Sequence, residues 1–410
     1  MSDVLVIGGG MAGVIAALRA RTKGASVTLA RRALGATAMS SGAVDVALPR
    51  GESLALASAL TADRPEHPLR VLHADAGRMV EALRFASEAT AGLIGFPGDS
   101  LLYLPTAHGT FKAAASAQRS QLPGALSGLP SVVGVVGFRA TPIIDARFVA
   151  KGLQADAKAL GRDIQFVPIE SAYFNELEDA LRQPVELATR FDRADAVAAL
   201  SAELSSQDAA AFLLPPILGF TVAGVSAALA LQLKRPCAEL LSDAHGSVPG
   251  LRLHRALDEA LVRAGVRVID ATVVSRDGVL FAGEERIDAA AVVLASGKFI
   301  GGGIRRDGVL RETVYGAPVY VNDRRGPGAR VDQLLGERYG DDQPIFRAGV
   351  RIDARLRPLG ARDEPVHEKL FAAGSVIAGF DPAVDVGGLG MCVFSGYLAG
   401  EQAPIGWPTL

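Results

Sequence analysis

Apolar residues along this chain occur in short runs that are separated by glycine turns and by amphipathic stretches. The first run, Val4–Ile7, ends at three spaced glycines, and an alanine-rich stretch follows them. A second run, Ser26–Leu29, comes soon after Gly24. Short buried strands that alternate with helices are typical of a parallel α/β sheet. The pattern therefore predicts a first strand, a tight turn, a helix and a second, parallel strand.

The first turn has the sequence G-x-G-x-x-G, formed by Gly8, Gly10 and Gly13. In such a turn the first glycine permits a sharp bend, the second lets the backbone approach a pyrophosphate, and the third lets the helix pack closely on the strand. Met11 and Ala12 then lie at the start of the helix, where the N–H groups and the helix dipole favour a phosphate. The motif and its position after a strand predict a dinucleotide-binding fold.

The end of the second strand bears on which nucleotide is bound. An acidic residue about 20 positions after the glycines normally receives the ribose hydroxyls of FAD or NAD. Here the strand ends in Ala30, Arg31 and Arg32 instead. Three interpretations remain open: FAD held by other contacts, NADP with Arg31 or Arg32 facing its 2′-phosphate, or FMN, which has no adenosine ribose.

The segment after the second strand favours a flavin. Ser40, Ser41 and Gly42 lie in a small, polar loop whose backbone can approach a flat ring and donate N–H groups to it. The alternative interpretation is an ordinary serine-rich turn before Pro49.

A second α/β unit is predicted in the middle of the chain. Ser131–Gly137 has the β-branched composition of a strand, Arg147–Gly161 has the periodicity of an amphipathic helix, and Ile164–Val167 is a further strand. The helix that begins at Pro249 and ends near Gly265 then returns the chain to the nucleotide-binding sheet. We therefore expect two domains, a discontinuous one of residues 1–50 and 250–410 and a cap of residues 51–249.

Two later segments repeat the combination of a strand and a glycine turn. One apolar run, 289–295, ends in Ser296 and Gly297. The other, 369–373, ends in Gly374 and Ser375, and the glycine-rich stretch that includes Gly388, Leu389 and Gly390 opens a last helix. We expect the start of that helix to face the flavin, because its N–H groups and dipole suit the negative charge of a reduced ring.

Composition narrows the classes of function. The chain has 42 basic and 44 acidic residues and a formal net charge of −2, so bulk charge does not favour nucleic acid as a partner. No apolar run reaches the length of a membrane span, and no signal-peptide pattern opens the chain, so we expect a cytoplasmic protein. Cys237 and Cys392 are too few to hold an iron–sulfur cluster, and the histidine spacings predict no metal site.

On these motifs the chain resembles the two-dinucleotide-binding-domain flavoproteins and, within them, the B subunits of anaerobic glycerol-3-phosphate dehydrogenase. Ser375 makes the last of the matching segments the most specific, because the broader superfamily usually has an acidic residue after the corresponding glycine. The matching segments extend over nearly the whole chain and are Gly8–Gly13, Ser40–Asp45, Pro249–Val266, Leu294–Phe299 and Ala373–Pro382.

The resemblance implies a Rossmann-like FAD-binding domain with an inserted α+β cap domain, in the α/β class. In that family, the catalytic component oxidises glycerol 3-phosphate to dihydroxyacetone phosphate. An iron–sulfur component anchors the complex at the cytoplasmic face of the membrane and passes electrons toward quinone. The B subunits carry a flavin and lie between these two components. The family is usually described with FMN at this place, but we favour FAD because the three glycines suit a pyrophosphate.

The residues and the resemblance together predict a cofactor-binding set and leave the catalytic residues unassigned. The set is Gly8, Gly10, Met11, Ala12, Gly13, Arg31, Ser40, Ser41, Gly42, Ser296, Gly297, Gly374, Ser375, Gly388, Leu389 and Gly390.

Two other functions compete with that of a flavin redox component. One is a self-sufficient flavoenzyme of the fumarate reductase or ketosteroid dehydrogenase type, which would need an arginine acid and cationic clamps; Arg305 and Arg306 are the candidates. The other is a structural component that would hold the cofactor without turnover.

Overall fold

The computed structural model describes a chain that divides into two compact units. The first unit comprises Met1–Thr37, Val44–Ala91 and His254–Leu410, and the second comprises Ala38–Ala43 and Gly92–Leu253. The residues that the structure describes are 2–45, 64–96, 98, 100–141, 143–177, 183–242, 247–321, 324–325, 334–338, 340–382, 385 and 388–404.

The helices and strands follow one another as the alternating pattern predicts. The described α-helices are α1 (Met11–Thr22), α2 (Pro68–Val71), α3 (Ala76–Ala89), α4 (Ala146–Ala159), α5 (Pro184–Arg190), α6 (Ala194–Ser205), α7 (Val225–Leu233), α8 (Val248–Arg263) and α9 (Gly388–Gln402). The described strands are β1 (Ser2–Ile7), β2 (Val27–Arg31), β3 (Ile94–Gly95), β4 (Leu102–Pro105), β5 (Phe111–Ala114), β6 (Ala117–Gln118), β7 (Val132–Phe138), β8 (Gln165–Ser171), β9 (Ala211–Leu214), β10 (Cys237–Glu239), β11 (Arg267–Asp270), β12 (Val273–Arg276), β13 (Val279–Ala282), β14 (Glu285–Ile287), β15 (Ala289–Leu294), β16 (Ile304–Asp307), β17 (Val309–Glu312), β18 (Val319–Val321), β19 (Arg324–Arg325), β20 (Gly349–Val350) and β21 (Leu370–Ala372).

The first unit is built on a five-stranded sheet with the order β11-β2-β1-β15-β21. All four neighbouring pairs are parallel, and β1 lies at the centre, with Val4 opposite both Val27 and Ala291. Val4, Leu5 and Val6 are completely buried, which explains why β1 is an uninterrupted apolar run. This arrangement confirms the predicted Rossmann-like sheet and the predicted return of β15 and β21 to the sheet of β1.

Helices α1 and α9 pack so closely that their backbones touch. A Cβ atom at Gly396 would overlap the backbone oxygen of Ala12, and one at Gly400 would overlap that of Ala16. Gly396 and Gly400 are therefore required by the contact between the two helices. This contact fixes the start of α1 relative to β21 and the turn that follows it.

The second unit has a four-stranded parallel sheet of its own, with the order β10-β9-β7-β8. Helix α4 connects β7 to β8, which confirms the strand, helix and strand predicted from 131 to 167. Two antiparallel ladders, β3 with β6 and β4 with β5, also belong to this unit.

The compact units do not follow the predicted domain boundaries. Helix α3 belongs to the first unit because Phe85 packs edge-on against Tyr397, with the ring centroids 5.6 Å apart, and Arg19 lies 4.4 Å from the centre of the Tyr397 ring. The second unit ends, and the first unit resumes, inside α8, between Leu253 and His254. The predicted boundary at residue 50 lies outside the described residues, so the domain limits stay a prediction.

The substitution Gly396→Ala tests the contact between α1 and α9. Overpacking against the Ala12 backbone should lower the free energy of unfolding by ~1–3 kcal/mol, even though alanine is the better helix former. Gly77→Ala is the control, because among the described residues a Cβ there meets only the Asp75 carboxylate oxygen, at 3.2 Å. Chemical denaturation of both variants checks this expectation, and equal stability of the two would contradict it.

Candidate cofactor site

The turn between β1 and α1 is closed by contacts between backbone atoms. Gly8 has a φ of +121°, and its N–H donates to the oxygen of Ala30 at 2.8 Å. A Cβ at Gly8 would overlap the oxygen of Ala295, and one at Gly13 would overlap the oxygen of Gly8. Gly8 and Gly13 are therefore required by the fold itself, as the motif predicts.

Gly10 differs from the other two glycines of the motif. A Cβ at Gly10 would meet, among the described residues, only the Thr37 hydroxyl, at 3.4 Å. The protein therefore leaves room beside this backbone and does not itself require a glycine there. That open space fits a ligand group that approaches the Gly10 backbone closely, which is the role that the motif assigns to a pyrophosphate.

The first amide of α1 has a partner within the chain. The Met11 N–H donates to the Thr37 hydroxyl at 2.8 Å. The backbone N–H groups of Ala12 and Ser375 act to lower the pKa of the Cys392 thiol, but burial outweighs them and raises this pKa to about 12. The sequence places Thr37 just before the predicted Ser40–Gly42 loop but does not indicate its contact with Met11, and it gives no role to Cys392, which falls in the first turns of the last predicted helix.

The turns after β15 and β21 meet next to the start of α1. A Cβ at Gly297 would lie 3.6 Å from the Ser375 hydroxyl, and a Cβ at Gly374 would lie 2.6 Å from the Ala12 Cβ. Gly297 and Gly374 have φ values of +73° and +74°. The three predicted glycine turns are thus brought together at the carboxyl edge of the parallel sheet, where ligands of such sheets bind.

Ser296 also bears on whether a polar cofactor fits this edge. Its hydroxyl is buried and forms no hydrogen bond with a described residue. A buried hydroxyl without a partner costs free energy, so a polar ligand atom there would stabilise the site. Together with the space beside Gly10, this hydroxyl is consistent with a bound dinucleotide.

The start of α9 is positioned by the chain segment around Asp45. The Gly390 N–H donates to the Asp45 oxygen at 3.0 Å, and Leu389 is buried. A Cβ at Gly388 would find Pro382 as its nearest described neighbour, at 3.7 Å. The predicted contact of Gly388, Leu389 and Gly390 with the flavin stays a prediction.

Arg31 ends β2 and is held between two carboxylates. Its guanidinium forms an ion pair with Asp258 of α8 and another, at 2.9 Å, with Asp270 of β11. Burial acts to lower the pKa of Arg31, but the hydrogen bonds to these two carboxylates raise it. The carboxylates absent from the end of β2 in the sequence are thus supplied by neighbouring elements, where Arg31 already engages them.

The predicted loop of Ser40, Ser41 and Gly42 belongs to the second unit. Gln121 donates from its amide to the Ser41 oxygen at 2.8 Å, and a Cβ at Gly42 would lie 2.5 Å from the Gln118 amide nitrogen. The loop is therefore fixed by two glutamines, and its contact with the flavin stays a prediction.

Lys298 is a buried cation that no motif in the sequence singles out. Its Nζ donates to the oxygen of Phe346 and, at 3.1 Å, to that of Phe380, and it lies 4.9 Å from the centre of the Phe380 ring. Burial lowers the pKa of Lys298 to about 7, although the carboxylates of Asp381 and Asp385 act to raise it. Lys298 thereby ties the turn after β15 to the segment before α9.

Asp385 is a second charged residue in the segment before α9, and its carboxylate is buried. Asp385 forms two hydrogen bonds with the Arg64 guanidinium, at 2.6 and 2.8 Å, and accepts the Asp381 N–H at 2.7 Å. The His67 Nε2 lies 3.8 Å from Asp385, and burial lowers the pKa of His67 to about 4. His67 is therefore neutral at pH 7, and the Arg64–Asp385 ion pair stabilises the approach to α9.

Neither a metal centre nor a membrane span is found in the described part of the chain. Its residues contain no group of three or more His, Cys, Asp or Glu side chains arranged to hold a metal ion. They also contain no helix that is long and apolar enough to cross a membrane.

A parallel sheet with three glycine turns at its carboxyl edge defines a dinucleotide-binding protein of the Rossmann-like class. The model of one family, described as FAD binding domain, matches residues 3–301 and 246–391, and the chain belongs to that family. The match confirms the prediction that the cofactor is FAD and that the chain is a flavin-dependent oxidoreductase.

Relatives resemble the chain over nearly its whole length. The probable B subunit of anaerobic glycerol-3-phosphate dehydrogenase from Halobacterium salinarum is 29% identical over 434 residues, which cover 98% of this chain and 97% of that protein. The B subunit of the same name from Pectobacterium carotovorum is 29% identical over 437 residues, covering 98% of each. A solved structure of 3-ketosteroid delta1-dehydrogenase from Sterolibacterium denitrificans has 12% identity and a TM-score of 0.36, covering 98% of this chain and 99% of that one.

The substitution Gly10→Val tests the assignment of the open space beside the first turn. Its side chain should occupy the ligand's position and weaken FAD binding at least ~10-fold, while the apoprotein keeps its stability within ~0.5 kcal/mol. FAD released per protein chain and the melting temperature of the apoprotein measure the two effects. Gly13→Val is the control that should fail to fold, and a Gly10→Val protein with its full FAD content would contradict the assignment.

The buried Lys298 ammonium predicts a particular dependence of stability on pH. Between the folded pKa of about 7 and the free value of 10.5, the unfolded chain binds a proton that the folded chain does not. The free energy of unfolding should therefore rise with pH over this range, by at most ~1.4 kcal/mol per pH unit.

Lys298→Met removes this contribution, so the difference in stability between the wild type and the variant should shift in favour of the wild type as the pH rises from 7 to 10. Denaturant titrations at several pH values measure that difference. The exposed Lys151→Met serves as the control. A wild-type-minus-variant difference that stays constant across this range would show that Lys298 is already charged in the folded protein.

Proposed function

We propose that this chain is the FAD-carrying subunit of an anaerobic glycerol-3-phosphate dehydrogenase complex. In this proposal a partner subunit oxidises glycerol 3-phosphate to dihydroxyacetone phosphate, and an iron–sulfur subunit takes the electrons from this chain toward quinone. The observation that carries the proposal is the similarity to named B subunits over 98% of the chain. Because those relatives are named as subunits, the chain is itself one component of a multi-subunit assembly.

The first unit supports this role through residues that would bind and orient the cofactor. When bound, FAD supplies the two-electron redox chemistry. Gly10 leaves space for its pyrophosphate, the start of α1 presents the positive end of a helix dipole, and the unpartnered Ser296 hydroxyl offers a hydrogen bond. We propose the same cofactor role for the turns at Gly297 and Gly374, for the start of α9, and for the Ser40–Gly42 loop.

In an NADP site, Arg31 would bind the 2′-phosphate, but in this proposal it has a different role. Its charge is balanced by Asp258 and Asp270, so it brings no free cation to a 2′-phosphate. Its side chain also packs on the loop, because a Cβ at Gly9 would lie 2.5 Å from the Arg31 Cδ. We propose that Arg31 positions the glycine loop against α8 and β11.

Oxidation of the secondary alcohol is assigned to the partner subunit. That reaction needs a base beside the carbinol and a cationic grip on the phosphate. His67 is buried and hydrogen-bonded to the Leu69 N–H through Nδ1, and Arg64 is engaged by Asp385.

We also propose that the partner subunits hold the complex, and this chain with it, at the inner face of the membrane.

Anaerobic mixing with glycerol 3-phosphate tests the proposal. The isolated chain should contain FAD but show negligible bleaching of its absorbance, because the proposal places the alcohol-oxidising site on the partner subunit. Addition of the co-expressed partner subunits should then permit stoichiometric bleaching. Absorbance at the flavin band and mass spectrometry of the co-purifying chains measure both points.

Three other outcomes would each point elsewhere. Full bleaching of the isolated chain would favour the self-sufficient flavoenzyme. A complex that oxidises glycerol 3-phosphate while this flavin stays oxidised would favour a structural role without turnover. FMN in place of FAD after release would overturn the cofactor assignment.

A further inference from the structure

An exposed apolar turn follows directly after the glycine turn of β15. Phe299 is 40% and Ile300 is 60% exposed. The turn is well ordered by hydrogen bonds, because the Gly302 N–H donates to the Phe299 oxygen at 3.2 Å and the Gly303 N–H to the Lys298 oxygen at 2.9 Å. Two large apolar side chains are thus held in solvent by a rigid turn.

The hairpin that continues this turn carries two arginines at directly opposed positions. Arg305 of β16 pairs with Arg311 of β17 in the antiparallel register, and both residues are exposed. Directly opposed residues point to the same face, and like charges in that position are destabilising. Asp307 lies two positions further along β16 and points to the same face, but no ion pair joins it to Arg305.

A third arginine reaches the same turn from the end of β2. The Nη2 atoms of Arg32 and Arg305 lie 3.8 and 3.9 Å from the position of a Cβ built on Gly302, so both guanidinium groups stand beside one glycine. Within the part of the chain that the structure describes, the Arg32, Arg305 and Arg311 side chains form no ion pair and no hydrogen bond. Three unbalanced cations therefore surround the exposed turn.

Several other arginines of the protein are balanced by carboxylates. Arg31, the neighbour of Arg32, has two carboxylate partners, and Arg64 has a bidentate one. The repulsion between Arg305 and Arg311 has no such compensation among the described residues. An external acidic group would offset it and would gain the most from binding at this place.

We propose that Arg32, Phe299, Ile300, Arg305 and Arg311, called here the arginine–phenylalanine patch, dock an acidic and partly apolar surface of another protein subunit of the complex. Because the patch is positively charged, the partner surface that it binds should be negatively charged. Its flat, exposed hairpin and its two apolar side chains suit a protein surface, since arginine and aromatic residues are enriched in protein interfaces. This inference rests on the proposed function, because it needs a complex.

The patch lies close to the proposed cofactor site. The turn starts two residues after Gly297, which belongs to the three converging glycine turns. A protein that docks on the patch is therefore brought next to the edge of the sheet at which FAD is proposed to bind. A protein docked on the patch would therefore hold an electron acceptor or donor close to the cofactor.

Charge reversal tests the patch in the full-length protein. Wild type and the double variant Arg305→Glu/Arg311→Glu are co-expressed with the other subunits, and the dissociation constant of the complex is measured at low and high salt. The variant should bind at least ~10-fold more weakly, and the dependence of its affinity on salt should be flatter or reversed. Its isolated chain should keep its FAD and should melt no lower than wild type, because the two opposed positions carry like charges in both proteins.

Arg147→Glu is the matched control. Arg147 is also exposed and lies beside an exposed phenylalanine, Phe148, but on α4 of the second unit. It should assemble as wild type does. A second variant, Phe299→Ser/Ile300→Ser, should weaken assembly without changing its salt dependence, which separates the apolar contribution from the charged one.

The outcomes distinguish this inference from the proposed function. If the wild type assembles and the charge-reversed variant assembles equally well, the patch is not the docking surface and the proposed function stands. If the wild type binds none of the other subunits, the proposed function fails and the inference fails with it. Loss of FAD or of melting temperature in the variant would show a structural role and overturn the docking assignment. Saturable binding of inorganic phosphate that the variant loses would show a small-anion site instead.

Discussion

Contact between backbone atoms at the carboxyl end of β1 is the constraint on which the first unit depends. Gly13 lies against the Gly8 oxygen, Gly8 lies against Ala295, and Gly396 lies against Ala12, with no space for a Cβ at any of the three glycines. These contacts hold the turn after β1, the end of β15 and helix α9 at the start of α1. The position of that helix, and with it the direction of its dipole, is therefore set by backbone packing. The space beside Gly10 and the Ser296 hydroxyl, which this packing does not use, are then open to a ligand.

The sequence was most informative where the signal is local. The glycine spacing after β1, the strands on either side of α4 and the glycine turns after β15 and β21 were all predictable, because each depends on residues close together in the chain. Arg31 was recognised as an anomaly, but its partners Asp258 and Asp270 lie 227 and 239 residues away. No periodicity encodes such an ion pair. Lys298 was missed for the same reason, since its two acceptors are backbone oxygens 48 and 82 residues away.

Adjacent arginines at the end of β2 illustrate how one motif can serve two purposes. Arg31 is turned toward the chain's own carboxylates and fixes the glycine loop. Arg32 has no partner among the described residues and stands beside the exposed turn at Gly302. Ion pairs that balance a charge, such as those of Arg31, are typical of partly buried positions. Unbalanced charges and exposed aromatic side chains are expected of a surface that another protein covers.

The way in which the first unit is assembled from the chain also affects its synthesis. Its strands β1 and β2 are made first, but β15, β21 and the helix α9 that covers α1 come from the last third of the chain. At about 5–20 residues per second, the growing chain exposes the apolar side of α1 for roughly 20 to 80 seconds, and the edge of β1 that pairs with β15 for roughly 14 to 55 seconds. The second unit, which is almost wholly the continuous stretch Gly92–Leu253, can fold on the ribosome in the meantime. Premature termination before α9 therefore leaves a nascent protein with one folded half and one aggregation-prone half, which makes the N-terminal strand and helix natural clients for chaperones.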